Sequence, residues 1–327
     1  MTRIVLRVAL LASATISLLG SLTAPAGAQS YPSRPIKIIV ATPPGGIADL
    51  VGRTFAQKLS EGGKTAVVEN RTGAGGTLGA EAGAKAAPDG YTLYVSNHQT
   101  NAVLPHLLNK MTYDPLKDFA PVLHATMSAN ILVVHPSVPA KTMRELVAHA
   151  KANPGKLTFA SQGNGSSGHI VGEQFKHLAG VNITHVPYRG AAPAIQDLIA
   201  GHVSMMFDIV PLARTQMAGG KVRALAVASR QRLAAVPDVP TMAEVGFPQI
   251  EGGPWFGFVA PAGTPRAIID LLNAEGVKAF SAPDVRNRFL VQGILLPLGT
   301  PEDYGAFIAA EHKRWGDIVR ATGIPKT

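Results

Sequence analysis

The sequence predicts an α/β protein with two lobes and a ligand cleft between them. Short β-branched runs alternate with helical stretches, a pattern typical of parallel βαβ units. The alternation occurs in two series, and two extended apolar runs over residues 121–125 and 131–135 separate them. Because open α/β sheets bind ligands at the carboxyl ends of their strands, we expect the functional residues in the turns that follow the strands.

The first 28 residues have the three parts of a secretory signal peptide. Arg3 and Arg7 form a basic start, residues 8–22 are apolar or small, and Ala26-Gly27-Ala28 provides a small-x-small cleavage pattern. A transmembrane anchor is the alternative, but serine, threonine and glycine dilute the apolar run. We therefore expect export to the periplasm and cleavage after Ala28.

Composition excludes several classes of function. The sequence has no Cys, so disulfides, thiol catalysis and thiolate metal sites are absent. None of the ten His lies four residues from another His, and no H-E-x-x-H motif occurs, so we predict no metal centre. The net charge is +9, but Lys and Arg are scattered without interleaved aromatics. Nucleic-acid binding is therefore not expected, whereas a basic surface mildly favours anionic ligands.

The first predicted strand, residues 36–41, leads into a loop that suits an anion. This proline–glycine loop (residues 42–46) reads Thr-Pro-Pro-Gly-Gly, and an amphipathic helix over residues 50–59 follows it. Glycine lets bare backbone approach a bound group closely. The start of the helix offers unpaired N–H groups and a partly positive dipole end. The loop is therefore predicted to form half of a site for a small carboxylate.

The remaining elements follow the same alternation. Thr142 is expected to cap a helix over residues 143–153, and two of the last helices begin with Pro at or near their first turn. Further strands are predicted over residues 66–69, 91–96, 157–161, 183–187, 203–207, 222–228 and 256–260, and further helices over residues 169–178, 192–200, 265–281, 283–292 and 301–322.

A second turn between a strand and a helix is rich in serine and glycine. This serine–glycine turn (residues 161–169) reads Ser-Gln-Gly-Asn-Gly-Ser-Ser-Gly-His and contains a literal G-x-G-x-x-G. A dinucleotide site is disfavoured, because the next strand ends in Tyr188-Arg189 and not in an acidic residue. A serine hydrolase is disfavoured, because the first Gly of a nucleophile elbow is missing. A helix cap without a ligand remains an alternative, but hydroxyls and N–H groups that hold a carboxylate are favoured.

Four residues near the ends of later strands are further candidates, and three of them have two interpretations. Tyr188 can present a phenol to the cleft, and Arg189 can add a charge-assisted bond or remain solvated. Asp208 follows the predicted strand over residues 203–207 and can face the cleft or cap the next turn. Trp255 can line the mouth of the cleft or pack at a hinge.

Motifs along the whole mature chain point to one known family. They are Tyr31-Pro32, Arg34-Pro35-Ile36, Pro44-Gly45-Gly46 with Asp49, Glu69-Asn70-Arg71 before Gly73-Ala74-Gly75-Gly76, Pro88-Asp89-Gly90-Tyr91-Thr92-Leu93, residues 165–169, Tyr188-Arg189-Gly190, Val236-Pro237-Asp238-Val239-Pro240-Thr241 and Pro261-Ala262-Gly263-Thr264-Pro265. With these motifs the chain resembles the Bug family of periplasmic solute receptors, the binding components of tripartite tricarboxylate transporters.

The resemblance implies a two-lobed periplasmic-binding-protein fold of type II, in which each lobe is a mostly parallel sheet flanked by helices. It implies a first lobe of residues 29–128 completed by residues 256–327, and a second lobe of residues 129–255. In the family, backbone groups, hydroxyls and bridging waters hold a carboxylate. The matching positions are Pro44, Gly45, Gly46 and Asn97 on the first lobe, and Ser166, Ser167, Gly168, His169, Tyr188 and Asp208 on the second.

The resemblance also implies partners. We expect a monomer without a cofactor that captures a mono-, di- or tricarboxylate, aromatic acids included, and delivers it to membrane transporter subunits. A receptor that signals to a membrane partner is the main alternative, and a serine hydrolase is the lesser one. Two departures from the family pattern leave the choice of acid open. Thr42-Pro43 stands where an aromatic and a small residue are common, and Arg189 replaces the more usual Lys.

Overall fold

The computed structural model of the protein describes residues 31–326, so the expected signal peptide and its cleavage site lie outside the described residues. Pro35–Thr327 forms one compact unit that contains two five-stranded sheets. No helix in the part of the chain that the structure describes is long and apolar enough to cross a membrane.

The first sheet combines strands from the two ends of this unit. Its strands are β1 (Ile36–Val40), β2 (Ala66–Asn70), β3 (Thr92–Asn97), β4 (Phe119–Met127) and β10 (Trp255–Pro261), in the order β2-β1-β3-β10-β4. Strand β10 runs antiparallel to both of its neighbours, and the other pairings are parallel. The sheet is therefore mostly parallel, and it is completed by a strand that returns from far along the chain.

The second sheet has the same plan. Its strands are β5 (Asn130–Val134), β6 (Thr158–Ser161), β7 (Thr184–Pro187), β8 (Met205–Ile209) and β9 (Arg223–Val227), in the order β7-β6-β8-β5-β9. Here β5 is the antiparallel strand. The two sheets confirm the predicted α/β fold with a mostly parallel sheet in each lobe.

Helices cover the faces of both sheets. They are α1 (Ile47–Glu61), α2 (Thr77–Ala84), α3 (Leu104–Leu107), α4 (Met143–Ala152), α5 (Ser167–Ala179), α6 (Ala191–Ile199), α7 (Val210–Ala218), α8 (Arg266–Ser281), α9 (Pro283–Leu290) and α10 (Pro301–Thr322). A π-helical turn, Gln99–Val103, precedes α3. Phe55 of α1 packs against Phe258 of β10 with ring centroids 4.6 Å apart, which shows how an amphipathic helix closes the apolar face of the first sheet.

Several element boundaries are as predicted, and two of those that differ are instructive. Thr142 caps α4, because its side chain accepts a hydrogen bond from the backbone N–H of Glu145. Helix α1 begins at Ile47, three residues before the predicted start. Strand β8 includes Asp208, which was predicted to follow the strand. Backbone pairing of Asp208 with Ile131 extends the strand beyond the apolar run that the prediction used.

The segments that connect the two sheets pair with each other. The N–H of Ser128 donates to Pro254 O at 2.9 Å, and the N–H of Asn130 donates to Gly252 O at 3.1 Å. A Cβ atom at Gly253 would lie 2.4 Å from Ser128 O, so only glycine permits this approach. The connection between the lobes is therefore a short pair of closely packed, hydrogen-bonded segments.

Candidate functional site

The sequence-predicted site residues lie at the carboxyl ends of strands in both sheets. The proline–glycine loop follows β1 and leads into α1, while Asn97 is the last residue of β3. The serine–glycine turn connects β6 to α5, Tyr188 follows β7, and Asp208 lies near the end of β8. This arrangement matches the position at which open α/β sheets bind ligands.

The proline–glycine loop is exposed and offers backbone to a ligand. Pro44, Gly45 and Gly46 are all exposed, and Gly46 is the N-cap residue of α1. Gly45 has φ +90°, a left-handed conformation that favours glycine. A Cβ atom at Gly46 would meet nothing closer than Pro43 O at 4.0 Å. The loop therefore leaves open space next to the first unpaired N–H groups of α1.

A buried carboxylate beneath the loop fixes its shape. Asp49 accepts hydrogen bonds from the N–H of Gly45 at 3.0 Å, from Arg53 Nε at 2.9 Å and from Asn70 Nδ2 at 2.9 Å. Burial alone would raise the pKa of Asp49, but these hydrogen bonds outweigh it and hold the pKa below its usual value. Asn70 also donates to Thr42 O at 3.1 Å, so the bonds hold both ends of the loop.

Sequence reasoning did not assign this role to Asp49, Arg53 and Asn70. An acidic residue in the first turn of a helix with Arg four positions later is a detectable signal. The contact with Asn70 comes from the adjacent strand β2, so it required the sheet order.

Asn97 is buried, and its amide is used within the first lobe. Its Oδ1 accepts the N–H of Thr100 at 3.1 Å, and its Nδ2 donates to the Tyr94 hydroxyl at 3.4 Å. Asn97 is therefore hydrogen-bonded to the π-helical turn that follows β3. Such π-helical segments often occur at functional sites.

Contacts between the two lobes join this turn to the serine–glycine turn. Gln99 Nε2 donates to Asn164 O at 3.0 Å. The Leu104 side chain packs against Gly165, where an added Cβ would lie 2.8 Å from Leu104 Cδ2. The first and second lobes thus meet directly beside the start of α5.

The start of α5 is buried and densely hydrogen-bonded. Ser166 is the N-cap residue, and its Oγ accepts the N–H of His169 at 3.3 Å. Ser167 Oγ donates to Asn130 Oδ1 at 3.1 Å. Gly168 packs so tightly that a Cβ atom would lie 2.4 Å from Phe207 O. Unlike the proline–glycine loop, this turn is held by close packing against the sheet.

Asp208 is a fully buried carboxyl group beside this turn. Its Oδ1 accepts a long hydrogen bond of 3.4 Å from Gln162 Nε2, and its Oδ2 has no hydrogen-bond partner among the described residues. Burial raises the pKa of Asp208 to about 7. Gln162, which sequence reasoning did not select, is the side chain that connects Asp208 to the serine–glycine turn.

The family profile of the tripartite tricarboxylate transporter family receptors matches residues 50–324. The chain belongs to this receptor family. Protein BugT of Bordetella pertussis (strain Tohama I / ATCC BAA-589 / NCTC 13251) is 39% identical over 304 residues, which cover 92% of this chain and 93% of BugT. The receptor is therefore a solute-binding protein and not an enzyme.

Two solved structures with bound acids have the same fold as the receptor. Rpa4515 of R. palustris with adipate is 33% identical with a TM-score of 0.85, and covers 91% of this chain and 100% of that one. MatC (Rpa3494) from Rhodopseudomonas palustris with bound malate is 35% identical with a TM-score of 0.81, and covers 88% and 100% respectively.

The hydrolase alternative is wrong for this receptor, and the geometry gives a reason. His169 Nδ1 accepts the N–H of Gly165 at 3.1 Å, so it cannot take a proton from Ser166 or Ser167 in this arrangement. Burial lowers the pKa of His169 to about 4. A serine–histidine bond does exist between Ser161 Oγ and His185 Nε2 at 2.7 Å, but Ser161 is fully buried at the end of β6.

Three potential metal ligands cluster behind the serine–glycine turn of the receptor. His169, Glu173 and His185 place ligand atoms within 4.8 Å of one another. Sequence reasoning examined only pairs of His, so it missed a His–Glu pair with a His on the adjacent strand. Lys176 Nζ bonds both oxygens of Glu173 at 2.9 and 2.8 Å. Because His169 Nδ1 accepts the N–H of Gly165, the neutral ring carries its proton on Nε2. Neither ring nitrogen of His169 then has a free lone pair for a cation, so this arrangement does not suit a metal ion.

Tyr188 and Trp255 are engaged in the fold of the receptor. The Tyr188 hydroxyl donates to Asp197 Oδ2 at 2.7 Å, so the phenol is paired with a carboxylate of α6. Burial and the Asp197 carboxylate raise the pKa of Tyr188 to about 12. Trp255 is buried, and its Nε1 donates to Glu311 at 3.1 Å. Of its two interpretations, the structure favours packing near the connection between the lobes.

Proposed function

We propose that this receptor captures a small organic carboxylate between the proline–glycine loop and the serine–glycine turn, and delivers it to a tripartite tricarboxylate-type membrane transporter. The proposed ligand-binding residues are the same ten: Pro44, Gly45, Gly46, Asn97, Ser166, Ser167, Gly168, His169, Tyr188 and Asp208. We further propose that it acts as a monomer in the periplasm after cleavage at Ala28. Two similar structures, with adipate and with malate, support the carboxylate class.

One observation carries the proposal: each lobe presents the N-terminus of a long helix at the carboxyl end of its sheet. Helices α1 and α5 have 15 and 13 residues, and their N-cap residues are Gly46 and Ser166. Such helix starts combine free N–H groups with a partly positive dipole end, and they bind carboxylates without a charged side chain. The Tyr188 hydroxyl is paired with Asp197, so Tyr188 would bind the ligand through its main chain, or through its phenol after a change of side-chain conformation.

The Gly46→Val variant tests the proposal. Gly46 has φ −81° and ψ 174°, an extended conformation that any residue adopts, and its Cβ direction is open. The variant should therefore fold while its side chain blocks the backbone approach. We expect calorimetric titration with adipate and malate to show affinity about tenfold or more weaker than for the unmodified receptor.

Gly219→Val is the matched control. Gly219 has φ −86°, is exposed, and ends α7 at the end remote from β8. It should leave the affinity unchanged. A folded Gly46→Val variant that binds as tightly as the control would contradict the assignment of the proline–glycine loop to the site.

A further inference from the structure

The second lobe contains buried polar atoms that its own hydrogen bonds leave unpaired. Asp208 and Asn130 are completely buried, and Asp208 Oδ2 and Asn130 Nδ2 have no hydrogen-bond partner among residues 31–326. Gln162 Oε1 is a third such atom. Each unpaired buried polar atom has a free-energy cost, which is largest for a carboxylate, so an arrangement of this kind indicates a missing partner.

These atoms lie around the first turn of α5. Asp208 Oδ1 is 3.4 Å from Gln162 Nε2. A Cβ atom on Gly168 would lie 2.7 Å from Gln162 Oε1, and Ser167 Oγ is bonded to Asn130 Oδ1 at 3.1 Å. The helix start that is proposed to hold a carboxylate is therefore bordered by two unpaired acceptor oxygens, one from Asp208 and one from Gln162.

The charge of Asp208 is also uncompensated. Among the described residues no Lys, Arg or His forms an ion pair with it, in contrast to Asp49, which is paired with Arg53 at 2.9 Å. The donors to its side chain are both neutral: the backbone N–H of Ile209 and the amide of Gln162. Two acceptor oxygens without a cation match a ligand group that carries several N–H donors and a positive charge.

We infer that the ligand of this receptor carries an ammonium group as well as its carboxylate, and that Asp208 and Gln162 bind the ammonium. The inference deepens the proposed function, because it depends on the carboxylate lying at the start of α5. The ligand class becomes amino acids and other aminocarboxylates. The raised pKa of Asp208, about 7, agrees with this, because a carboxyl group with no counter-ion favours its neutral form until a cation arrives.

Matched ligand pairs test the inference on the unmodified receptor. Glutamate with glutarate, and γ-aminobutyrate with butyrate, differ in the amino group alone. We measure the affinity for each ligand by calorimetric titration at pH 7.5. In the pair that binds more tightly, we expect the receptor to bind the ligand with the amino group about tenfold or more tightly than the ligand without it, because a charged hydrogen bond in a buried site discriminates strongly. Equal affinity, or a preference for the acid without an amine, would overturn the inference.

The Asp208→Asn variant assigns the preference to this side chain. It should abolish the preference, because a neutral amide no longer supplies the charge that binds the ammonium. Asp238→Asn, which removes an exposed carboxylate from the second lobe, should preserve the preference. A preference that survives in folded Asp208→Asn would remove Asp208 from the site.

The two proposals fail in different ways. If no member of either pair and neither adipate nor malate binds, the carboxylate function itself is contradicted. If carboxylates bind without regard to the amino group, only the ammonium inference is lost. Should Asp208→Asn not fold, Gln162→Ala provides the second variant, and it should reduce the preference without abolishing it.

Discussion

The proline–glycine loop and the serine–glycine turn share a strand–turn–helix plan, but different forces fix their shapes. The loop is exposed, and a buried carboxylate beneath it, Asp49, holds its main chain through hydrogen bonds. Residues 165–169 of the turn are buried, and direct packing of Gly168 against Phe207 holds them. A hydrogen-bonded loop can change its surface residues without loss of the fold, whereas a close-packed turn cannot.

The two regions also differ in the polar groups they present. The loop offers backbone only, which suits any anion that reaches the start of α1. The turn adds the hydroxyls of Ser166 and Ser167 and the amide of Gln162, and β8 adds the carboxyl of Asp208 beside it. General affinity for carboxylates is thus expected mainly from the first lobe, and selection among carboxylates from the second.

The largest expected effect distinguishes packing from hydrogen bonding. Gly168→Ala places a methyl group 2.4 Å from Phe207 O, a backbone atom that cannot move aside. We expect a loss of about 3 kcal/mol or more in the free energy of unfolding, measured by urea denaturation. Gly46→Ala is the matched substitution in the loop, and it should cost about 1 kcal/mol or less, because its Cβ direction is open. Similar losses at both positions would contradict the contrast.

Much of the fold could be predicted because local signals coincide with the tertiary structure. The α10 helix has the predicted bounds, because Thr300 caps it with Asp303 in a capping box and Pro301 begins it. Strand β8 is where prediction failed. Its end at Ile209 depends on pairing with Asn130 of β5, a contact that hydrophobic periodicity does not report.

The site could be predicted only in outline for the same reason. The serine–glycine turn was recognised because strand, glycine and helix are adjacent in sequence. The role of Gln162 and the contact of His169 with His185, whose rings lie 4.1 Å apart, arise from the packing of β7 and β8 with α5. Asn97 was selected from the family resemblance, and its hydrogen bond to the next turn became visible only in the structure.

A smaller effect concerns the carboxylate beneath the loop. Asp49→Ala removes the acceptor for the Gly45 N–H and leaves Arg53 without its partner at 2.9 Å. We expect a loss of about 1–2 kcal/mol in the free energy of unfolding and a roughly fivefold loss of carboxylate affinity, because the loop is no longer held in place. Both are measured on one sample, by denaturation and by calorimetric titration.

Glu69→Ala is its control. Glu69 forms a partly exposed ion pair with Lys37 at 2.9 Å in the same lobe. Loss of this pair should change the stability by about 0.5 kcal/mol or less and leave the affinity intact, because exposed ion pairs contribute little. If Asp49→Ala behaves like Glu69→Ala, the loop does not depend on the buried carboxylate for its shape.

The last comparison concerns the pH dependence of stability. The expected change in the free energy of unfolding for each titrating group is the smallest of the effects. Burial lowers the pKa of His98, His124 and His169 to about 4 and, with smaller contributions from nearby charges, that of His185 to about 3. Unfolded histidine titrates near 6.5, so below that pH the unfolded chain binds protons that the folded chain does not. Each of these histidines therefore makes the folded protein less stable relative to the unfolded chain as pH falls through this range.

Asp208 acts in the opposite direction. Its folded pKa of about 7 lies above the unfolded value, so the folded protein binds the extra proton and gains stability as pH falls from 7 towards 4. Because the four histidines oppose a single carboxyl group, we predict a net loss in the free energy of unfolding between pH 7 and pH 5. Each histidine contributes a loss on the order of 1 kcal/mol. Urea denaturation at the two pH values measures it. In Asp208→Asn the opposing contribution is absent, so the acid-induced loss should become larger than in the unmodified receptor. A smaller loss in that variant would show that Asp208 is not protonated in the folded receptor near pH 5.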